Sequence, residues 1–295
     1  IKFGNPVLMS YPTFVKIIKK IPKNVLIRFS GFTEPFLNPE CGKMIKYASD
    51  NGYQIQLYST LVGMTSNDVD ILNAVNPEKF VIHLADSEKY AKIPLALHKE
   101  ILKKIVSSHM ENVFFMTMGT IPDEIKNIIG MDVKASEMVD WAGHIDFGRK
   151  TNRITGPILC TMNRSRNNRD IPPIILPNGD VVLCCKDWSM DYVLGNLLNC
   201  IYDELFQSKT YNEVIKKMRS ENDDIICRNC EFALSVSQEK NMKQQFIELG
   251  IDPSDEIGIK LDEIYQYYLM RPIDPEGLIF FYMQIKNGSM DYTDI

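Results

Sequence analysis

Seven cysteines occur, at positions 41, 160, 184, 185, 200, 227 and 230, and an odd count argues against a framework made only of disulfides. Cys227-Arg228-Asn229-Cys230 is a CxxC, a chelating turn whose backbone amides can face both sulfurs. Cys160 lies upstream, and Cys184-Cys185 ends a hairpin-like run. Cys160, Cys184, Cys227 and Cys230 together offer four thiolates, a set that suits either tetrahedral zinc or an iron–sulfur cluster. A chance set of buried thiols is the plain alternative. Neighbouring residues on a strand point to opposite faces, so one of Cys184 and Cys185 joins a given site; the Gly179-x4-Cys184 spacing favours Cys184, and a bulge at the strand end can reverse the choice. Cys41 and Cys200 lie in helical patterns and read as structural.

The elements that must position these residues have two textures. Up to about residue 150, apolar runs at Asn24–Phe29, Tyr53–Tyr58, Lys79–Leu84, Asn112–Met118 and Gly143–Phe147 read as strands. Helical patterns alternate with them. Ser10 and Pro12 open the first, Asn38-Pro39 caps the next and Gly52 closes it, and Ser66 caps a third; Pro94–Ser107 and Pro122–Ile129 follow. Strands roughly 30 residues apart with helices between are βα units, which implies right-handed crossovers and a parallel sheet. After Arg149 the texture changes. Pro173–Cys185 reads as a hairpin turned by Asn178-Gly179, Ile201–Met218 as one amphipathic helix, and the chain after Cys230 as helical to Leu249. Aromatic residues at Tyr265–Tyr268 and Phe280–Tyr282 read as core or interface, with substrate stacking as the alternative.

In parallel α/β barrels chemistry gathers at the C-terminal strand ends. That rule selects Ser30, Gly31 and Glu34 after the first strand, Ser59 and Thr60 after the second, His83 at the end of the third, Thr117 and Met118 at the end of the fourth, and Arg149 after the fifth. A lone strand-end histidine is more often simply hydrogen-bonded, so His83 keeps both readings.

Composition bounds the function classes. The chain has 295 residues, 45% apolar and 24% charged, with net charge −5, the profile of an ordinary globular protein and not of a general nucleic-acid binder. The strongest apolar run, Gly277–Met283, is far short of the ~18 residues that span a bilayer, and no signal peptide is recognisable at Ile1. From Val236 to Ile295 five Lys/Arg face eleven Asp/Glu, whereas Arg149–Arg169 holds six basic residues and no acidic one. The basic stretch is either a solvated loop or a positive field beside Cys160.

Two segments carry a family resemblance. Ser30-Gly31-Phe32-Thr33-Glu34-Pro35-Phe36-Leu37-Asn38-Pro39 resembles the Gly-Glu-Pro stretch of radical SAM enzymes, with Thr33 in place of the second glycine. Pro177-Asn178-Gly179-Asp180-Val181-Val182-Leu183-Cys184-Cys185-Lys186-Asp187, then Leu194-Gly195-Asn196-Leu197 and Cys227-x2-Cys230, resemble the SPASM/twitch auxiliary-cluster domain of the same superfamily. The family's CxxxCxxC loop does not occur between Ile1 and Ile295, and the resemblance implies that this segment, with a first strand and the catalytic [4Fe–4S] cluster, lies upstream of Ile1.

The resemblance implies an α/β fold: a partial (β/α)6 barrel lacking its first strand here (1–152), a small α+β auxiliary-cluster domain (153–235) and a helical, acidic C-terminal extension (236–295). It implies an anaerobic, cytoplasmic oxidoreductase in which reductive cleavage of S-adenosyl-L-methionine gives a 5′-deoxyadenosyl radical that takes a hydrogen atom from substrate. An auxiliary [4Fe–4S] cluster on Cys160, Cys184, Cys227 and Cys230 accepts an electron. It assigns Glu34 to the neighbourhood of the cofactor's ammonium, Ser59 and Thr60 to its carboxylate or ribose, and Ser30, Gly31, His83 and Arg149 to the same site. Arg149-Lys150-Thr151-Asn152 resembles an RAGN segment, so Arg149 binds the cofactor's carboxylate or an anionic substrate. The substrate is a small carbohydrate-like molecule or a peptide, and the electron donor a flavodoxin or ferredoxin; neither nucleic acid nor membrane is a partner. The alternatives are a peptide-modifying enzyme of the same superfamily and a non-catalytic zinc-knuckle scaffold with a vestigial barrel.

Overall fold

The computed structural model describes residues 7–108, 110–136, 141–145, 153–162, 171–268, 273 and 275–295. Along the chain run α1 (Tyr11–Ile18), β1 (Ile27–Phe29), α2 (Cys41–Asp50), β2 (Ile55–Ser59), α3 (Ser66–Val75), β3 (Lys79–His83), α4 (Leu95–Val106), β4 (Val113–Met116) and α5 (Asp123–Ile129). There follow β5 (Ile158–Cys160), β6 (Ile174–Ile175), β7 (Asp180–Val182), β8 (Val193–Asn196), α6 (Lys209–Arg219), β9 (Ala233–Ser235), α7 (Val236–Glu248), α8 (Glu256–Tyr268) and α9 (Pro275–Lys286). The chain divides into two compact units, Ile1–Val139 with Pro173–Tyr211, and Asp140–Pro172 with Asn212–Ile295.

In the first unit β1-β2-β3-β4 form a parallel sheet, each strand joined to the next by a helix. Successive right-handed crossovers put these helices on one face. Ile55, Leu57 and Ser59 of β2, with Phe80 and Ile82 of β3, are buried and share a face. Apolar stripes at Phe14/Ile17/Ile18, Met44/Ile45/Ala48, Val69/Leu72 and Ile101/Leu102/Ile105 complete the core. Ser10 caps α1 by accepting from the Thr13 amide, with Pro12 in the first turn.

Two expected caps shift. Asn38 accepts from the Glu40 amide (3.0 Å) and donates to the Met9 carbonyl (2.8 Å), so it anchors the turn ahead of α2, which starts only at Cys41. Thr65, not Ser66, caps α3, because only Thr65 forms the reciprocal box with Asp68 three residues on. The expected fifth strand at Gly143–Phe147 is not formed where it can be seen: Trp141, Ala142 and Gly143 have φ of 53°, 58° and 82°, and Trp141–Ile145 is a turn. Three successive left-handed residues cannot extend. Residues 146 and 147 lie outside the described residues.

The antiparallel sheet β6-β7-β8 belongs to the same unit. Its first turn is Leu176-Pro177-Asn178-Gly179, closed by the Gly179 amide on the Leu176 carbonyl at 2.9 Å. Only Gly179 has positive φ (+87°), so this is a turn with proline second followed by a left-handed glycine, not an Asn-Gly turn with two positive angles. A Cβ on Gly179 meets Leu198 Cγ at 2.9 Å. Asn196 of β8 stitches the turn, donating to the Asn178 carbonyl (3.2 Å) and Asp180 (2.9 Å), which gives the Leu194-Gly195-Asn196-Leu197 motif its structural meaning. The expected helix Ile201–Met218 breaks in two: Tyr202–Gln207 is a 3-10 helix, and α6 starts after Ser208, whose ψ of 154° is extended.

In the second unit β5 pairs antiparallel with β9, a strand that interrupts the helical run expected after Cys230. Ser235 then caps α7 in a box with Gln238. α7, α8 and α9 enclose a core of Phe246, Ile251, Leu261, Leu278 and Tyr282. Tyr265 and Tyr282 are therefore core residues, whereas Phe280 is exposed. No helix of the described residues is long and apolar enough to cross a membrane.

Candidate functional site

Glu34, Ser59 and Thr60, selected from the sequence by strand position, meet in one hydrogen-bonded cluster at the C-terminal ends of β1 and β2. Glu34 Oε1 accepts from the Phe36 amide (3.1 Å) and Ser59 Oγ (2.8 Å), and Oε2 from the Thr60 amide and Oγ1 (2.6 Å each). A carboxylate has about four acceptor positions, and all four are filled. Ser59 Oγ also accepts from the Leu61 amide at 2.8 Å. Glu34 thus joins the loops after two strands. The loop after β2 closes on the first, since a Cβ on Gly63 meets the Phe36 carbonyl oxygen at 2.4 Å. Behind it the His98 ring of α4 lies with Nδ1 3.1 Å from the Thr60 carbonyl oxygen, and burial pushes its pKa down.

Ser30 is exposed, and Gly31 has φ of +125°, with Ile174 of β6 in van der Waals reach of a Cβ there. Thr117 is buried and turned onto Gly119, donating to its carbonyl at 2.9 Å, which makes it a loop brace. His83 ends β3 on the face opposite Leu57, Phe80 and Ile82, in register with Met116. Burial pushes its pKa below the ordinary histidine value, so the imidazole is neutral at pH 7. Arg149 lies outside the described residues.

The same face carries residues that strand-end reasoning missed. Arg28, Gln56 and Lys79 share one rung, Tyr58, Val81 and Phe114 the next. Arg28 donates to Gln56 Oε1 from Nε (3.2 Å) and Nη2 (2.9 Å), and its guanidinium lies 5.3 Å from the Tyr58 ring centroid. Burial raises the Tyr58 pKa, with Arg28 opposing; burial and then Arg28 push Lys79 down to about 8, with Glu78 opposing. The signal was the polar residue at alternate positions of otherwise apolar strands.

Cys160, Cys184, Cys185, Cys227 and Cys230 fall on three segments. β7 ends at Val182 after a bulge at Val181/Val182, so strand alternation does not reach Cys184 and Cys185 and does not by itself choose between them. Cys184 is buried and its sulfur accepts from the Lys186 amide at 3.4 Å, while Cys185 is half-buried. Asp187, fully buried, organises the following loop by accepting from the amides of Asp191 (3.1 Å) and Tyr192 (3.0 Å). Within the same unit Trp188 packs edge-on against Phe32 of the loop after β1, ring centroids 6.1 Å apart.

In the second unit Cys160 ends β5 opposite Ala233 of β9, and Cys227 and Cys230 span a 3-10 turn closed by the Cys230 amide on the Cys227 carbonyl at 3.3 Å. The Ala233 amide donates to the Cys230 carbonyl at 3.0 Å, tying the turn to the ladder that carries Cys160. Burial pushes the Cys230 thiol up; the Phe232 amide opposes this, and Glu231, Cys160 and Cys227 push it further. Thiols that repel one another's ionised forms are a donor set that a bound cation or cluster relieves. Among the described residues no three His, Cys, Asp or Glu are gathered to hold a single metal ion. A cubane asks for a wider arrangement, because each thiolate binds a different iron.

Residues 173–231 match a family model described as SPASM, iron-sulfur cluster-binding domain. Among solved structures the chain is similar to BtrN in complex with AdoMet and 2-DOIA, with 13% identity and a TM-score of 0.51 over 72% of this chain and 75% of that one. BtrN in an open conformation matches with 12% identity and a TM-score of 0.46, covering 76% and 80%. The native anSMEcpe structure with bound AdoMet and Kp18Cys peptide matches with 12% identity and a TM-score of 0.26, covering 64% and 60%. No curated protein matches the sequence. The likeness at TM-score 0.51 shows a shared fold. The iron–sulfur family model matches the part of the chain that holds β6–β8, α6 and the CxxC turn.

Proposed function

We propose that this chain is a radical SAM oxidoreductase that acts on a small, carbohydrate-like substrate in a reducing, cytoplasmic setting. The observation that carries this reading is the iron–sulfur cluster-binding match over residues 173–231, downstream of a sheet with the fold of a protein described with AdoMet bound. Ser30, Gly31, Ser59, Thr60 and His83 hold AdoMet at the C-terminal ends of β1–β3, and Arg149 binds its carboxylate or an anionic substrate. Glu34 acts first as a brace. It receives an ammonium only in exchange for a present donor, and the Thr60 hydroxyl, which can rotate away, is the one most readily exchanged.

Cys160, Cys184, Cys227 and Cys230 hold an auxiliary [4Fe–4S] cluster, with Cys185 outside it. Four protein thiolates leave no iron open to substrate, which favours electron acceptance over substrate ligation. The AdoMet-cleaving cluster is assigned to a CxxxCxxC segment upstream of Ile1, because that spacing is not found between Ile1 and Ile295. Bound together and reduced by a flavodoxin or ferredoxin, AdoMet and its cluster supply hydrogen-atom abstraction. The chain's contribution is a rigid pair of loops joined through Glu34 and a neutral His83 that can accept a proton.

Anaerobic purification with iron, acid-labile sulfide and zinc analysis tests the proposal. About four irons and four sulfides are expected on the Ile1–Ile295 chain. One zinc per chain without sulfide overturns it in favour of the scaffold reading.

A further inference from the structure

Arg228, between the two cysteines of the CxxC, is fully buried. Its Nε donates to the Asp223 carbonyl (2.7 Å), Nη1 to those of Ile154 (3.0 Å) and Gly156 (2.8 Å), and Nη2 to those of Lys217 (3.2 Å) and Ser220 (2.7 Å), with Ser220 Oγ at 3.3 Å. A guanidinium has five N–H groups, and here each meets a backbone carbonyl. Among the described residues no carboxylate is among its partners. The buried charge rests instead on carbonyl dipoles, two of them at the C-terminal end of α6, where a helix favours a cation.

These partners lie on three separate segments of the second unit. Lys217 and Ser220 are at the end of α6, and Asp223 is in the following loop. Ile154 and Gly156 are in the segment that runs into β5 and Cys160. The Ile154 amide returns a bond to the Arg228 carbonyl at 2.8 Å, and the Gly156 amide bonds the Glu221 carbonyl at 2.9 Å. Gly156 has φ of +79°, a conformation that favours glycine. One side chain therefore connects the backbone of the CxxC turn to the backbone leading to Cys160.

We propose that Arg228 is the positioning residue of the Cys160, Cys227 and Cys230 thiols, setting them in place before any metal arrives. The inference rests on the cluster reading above. Metal sites of small domains are often folded by the metal itself. Here the bonds of Arg228 supply a frame from the chain's own backbone. Lysine cannot substitute, because three donors on one nitrogen do not reach five carbonyls on three segments.

Hydrogen exchange on the metal-free, full-length wild-type protein is the first test. The Ile154 and Gly156 amides are expected to be protected together with the Val236 amide, which bonds the Pro157 carbonyl at 2.8 Å. Unprotected Ile154 and Gly156 overturn the proposal, whatever the variants do. The second test is anaerobic reconstitution of the Ile1–Ile295 chain, which carries only the auxiliary site, with iron and sulfide. Arg228→Met and Arg228→Lys are expected to retain at most a tenth of the wild-type iron, and any cluster formed in Arg228→Lys to give an altered electron paramagnetic resonance line shape. Arg153→Met is the control: Arg153 is a partly exposed guanidinium on Asp224 and the Asn222 carbonyl, and its removal is expected to leave iron and line shape unchanged. Wild-type iron and line shape in Arg228→Lys overturn the proposal. If Cys227→Ala keeps full iron, the cluster reading fails, while the exchange result still decides the role of Arg228.

Discussion

Glu34 and Arg228 perform opposite versions of one task. Glu34 is a half-buried carboxylate that collects two backbone N–H groups and two hydroxyls from the loops after β1 and β2. Arg228 is a fully buried guanidinium that collects five carbonyls from three segments. The difference lies in what can be exchanged. A hydroxyl donor rotates away and a ligand's donor replaces it at little cost. A backbone carbonyl deprived of its buried donor has no substitute and loses about 1–3 kcal/mol. The carboxylate therefore suits a place where a ligand comes and goes, and the guanidinium a place where nothing moves.

The largest effect expected from this contrast is that of Arg228→Met. It should cost about 4 kcal/mol in the opening free energy of the Val236 amide, measured by hydrogen exchange without metal, because buried partners are left unpaired. Glu34→Ala should cost about 2–3 kcal/mol and weaken AdoMet binding, measured by equilibrium dialysis. Glu34→Gln sharpens the comparison, since it keeps the shape but loses the charge and sets an amide donor against the backbone N–H of Phe36 or Thr60; it should cost about 2 kcal/mol while still lowering AdoMet affinity. If Glu34→Gln proves as destabilising as Arg228→Met, the distinction between exchangeable and permanent partners does not hold. Thr65→Ala, far from both side chains in sequence, should cost about 1 kcal/mol as a lost helix cap and leave metal and AdoMet binding alone.

The smallest effect concerns pH. Burial holds His83 and His98 below the ordinary histidine value, so the unfolded chain takes up protons first as pH falls. Their contribution to stability is complete above about pH 6.5 and is lost as pH drops from there through the lower native values. A melting series from pH 8 to 5 should show this decline, and His98→Leu should flatten it. The depressed carboxyls of Glu88, Asp224, Asp252 and Asp291 act only in the lower, carboxylate range.

The sheet was legible in the sequence because each βα unit carries its own signals: the Ser10 cap, the apolar run Lys79–Leu84, and Pro94 before α4. Glu34, Ser59 and Thr60 could be picked by strand position, though only the structure shows them bonded to one another. The break at Ser208 was legible in principle, since buried Leu205 and Val214, nine residues apart, would lie on opposite faces of one continuous helix. β9 is only three residues long and takes its identity from a partner more than seventy positions away. The role of Arg228 was invisible for a related reason. An arginine inside a CxxC reads as a surface charge, and nothing local indicates that five distant carbonyls await it.

The turn at Leu176–Gly179 has a consequence in time. Its closing contact spans three residues, and a hairpin of this kind assembles in about 1–10 μs. Each rung of the parallel sheet instead joins positions such as Ile27 and Ile55, separated by a whole helix, and contacts of that span form more slowly. The β6–β7 ribbon that leads into Cys184 is thus expected to be among the first parts of a refolding chain to exist, ahead of the sheet beside which it is finally found. A thiol presented that early meets solvent, oxidant and metal before most of the protein has form. The order of events during maturation then matters for this cysteine.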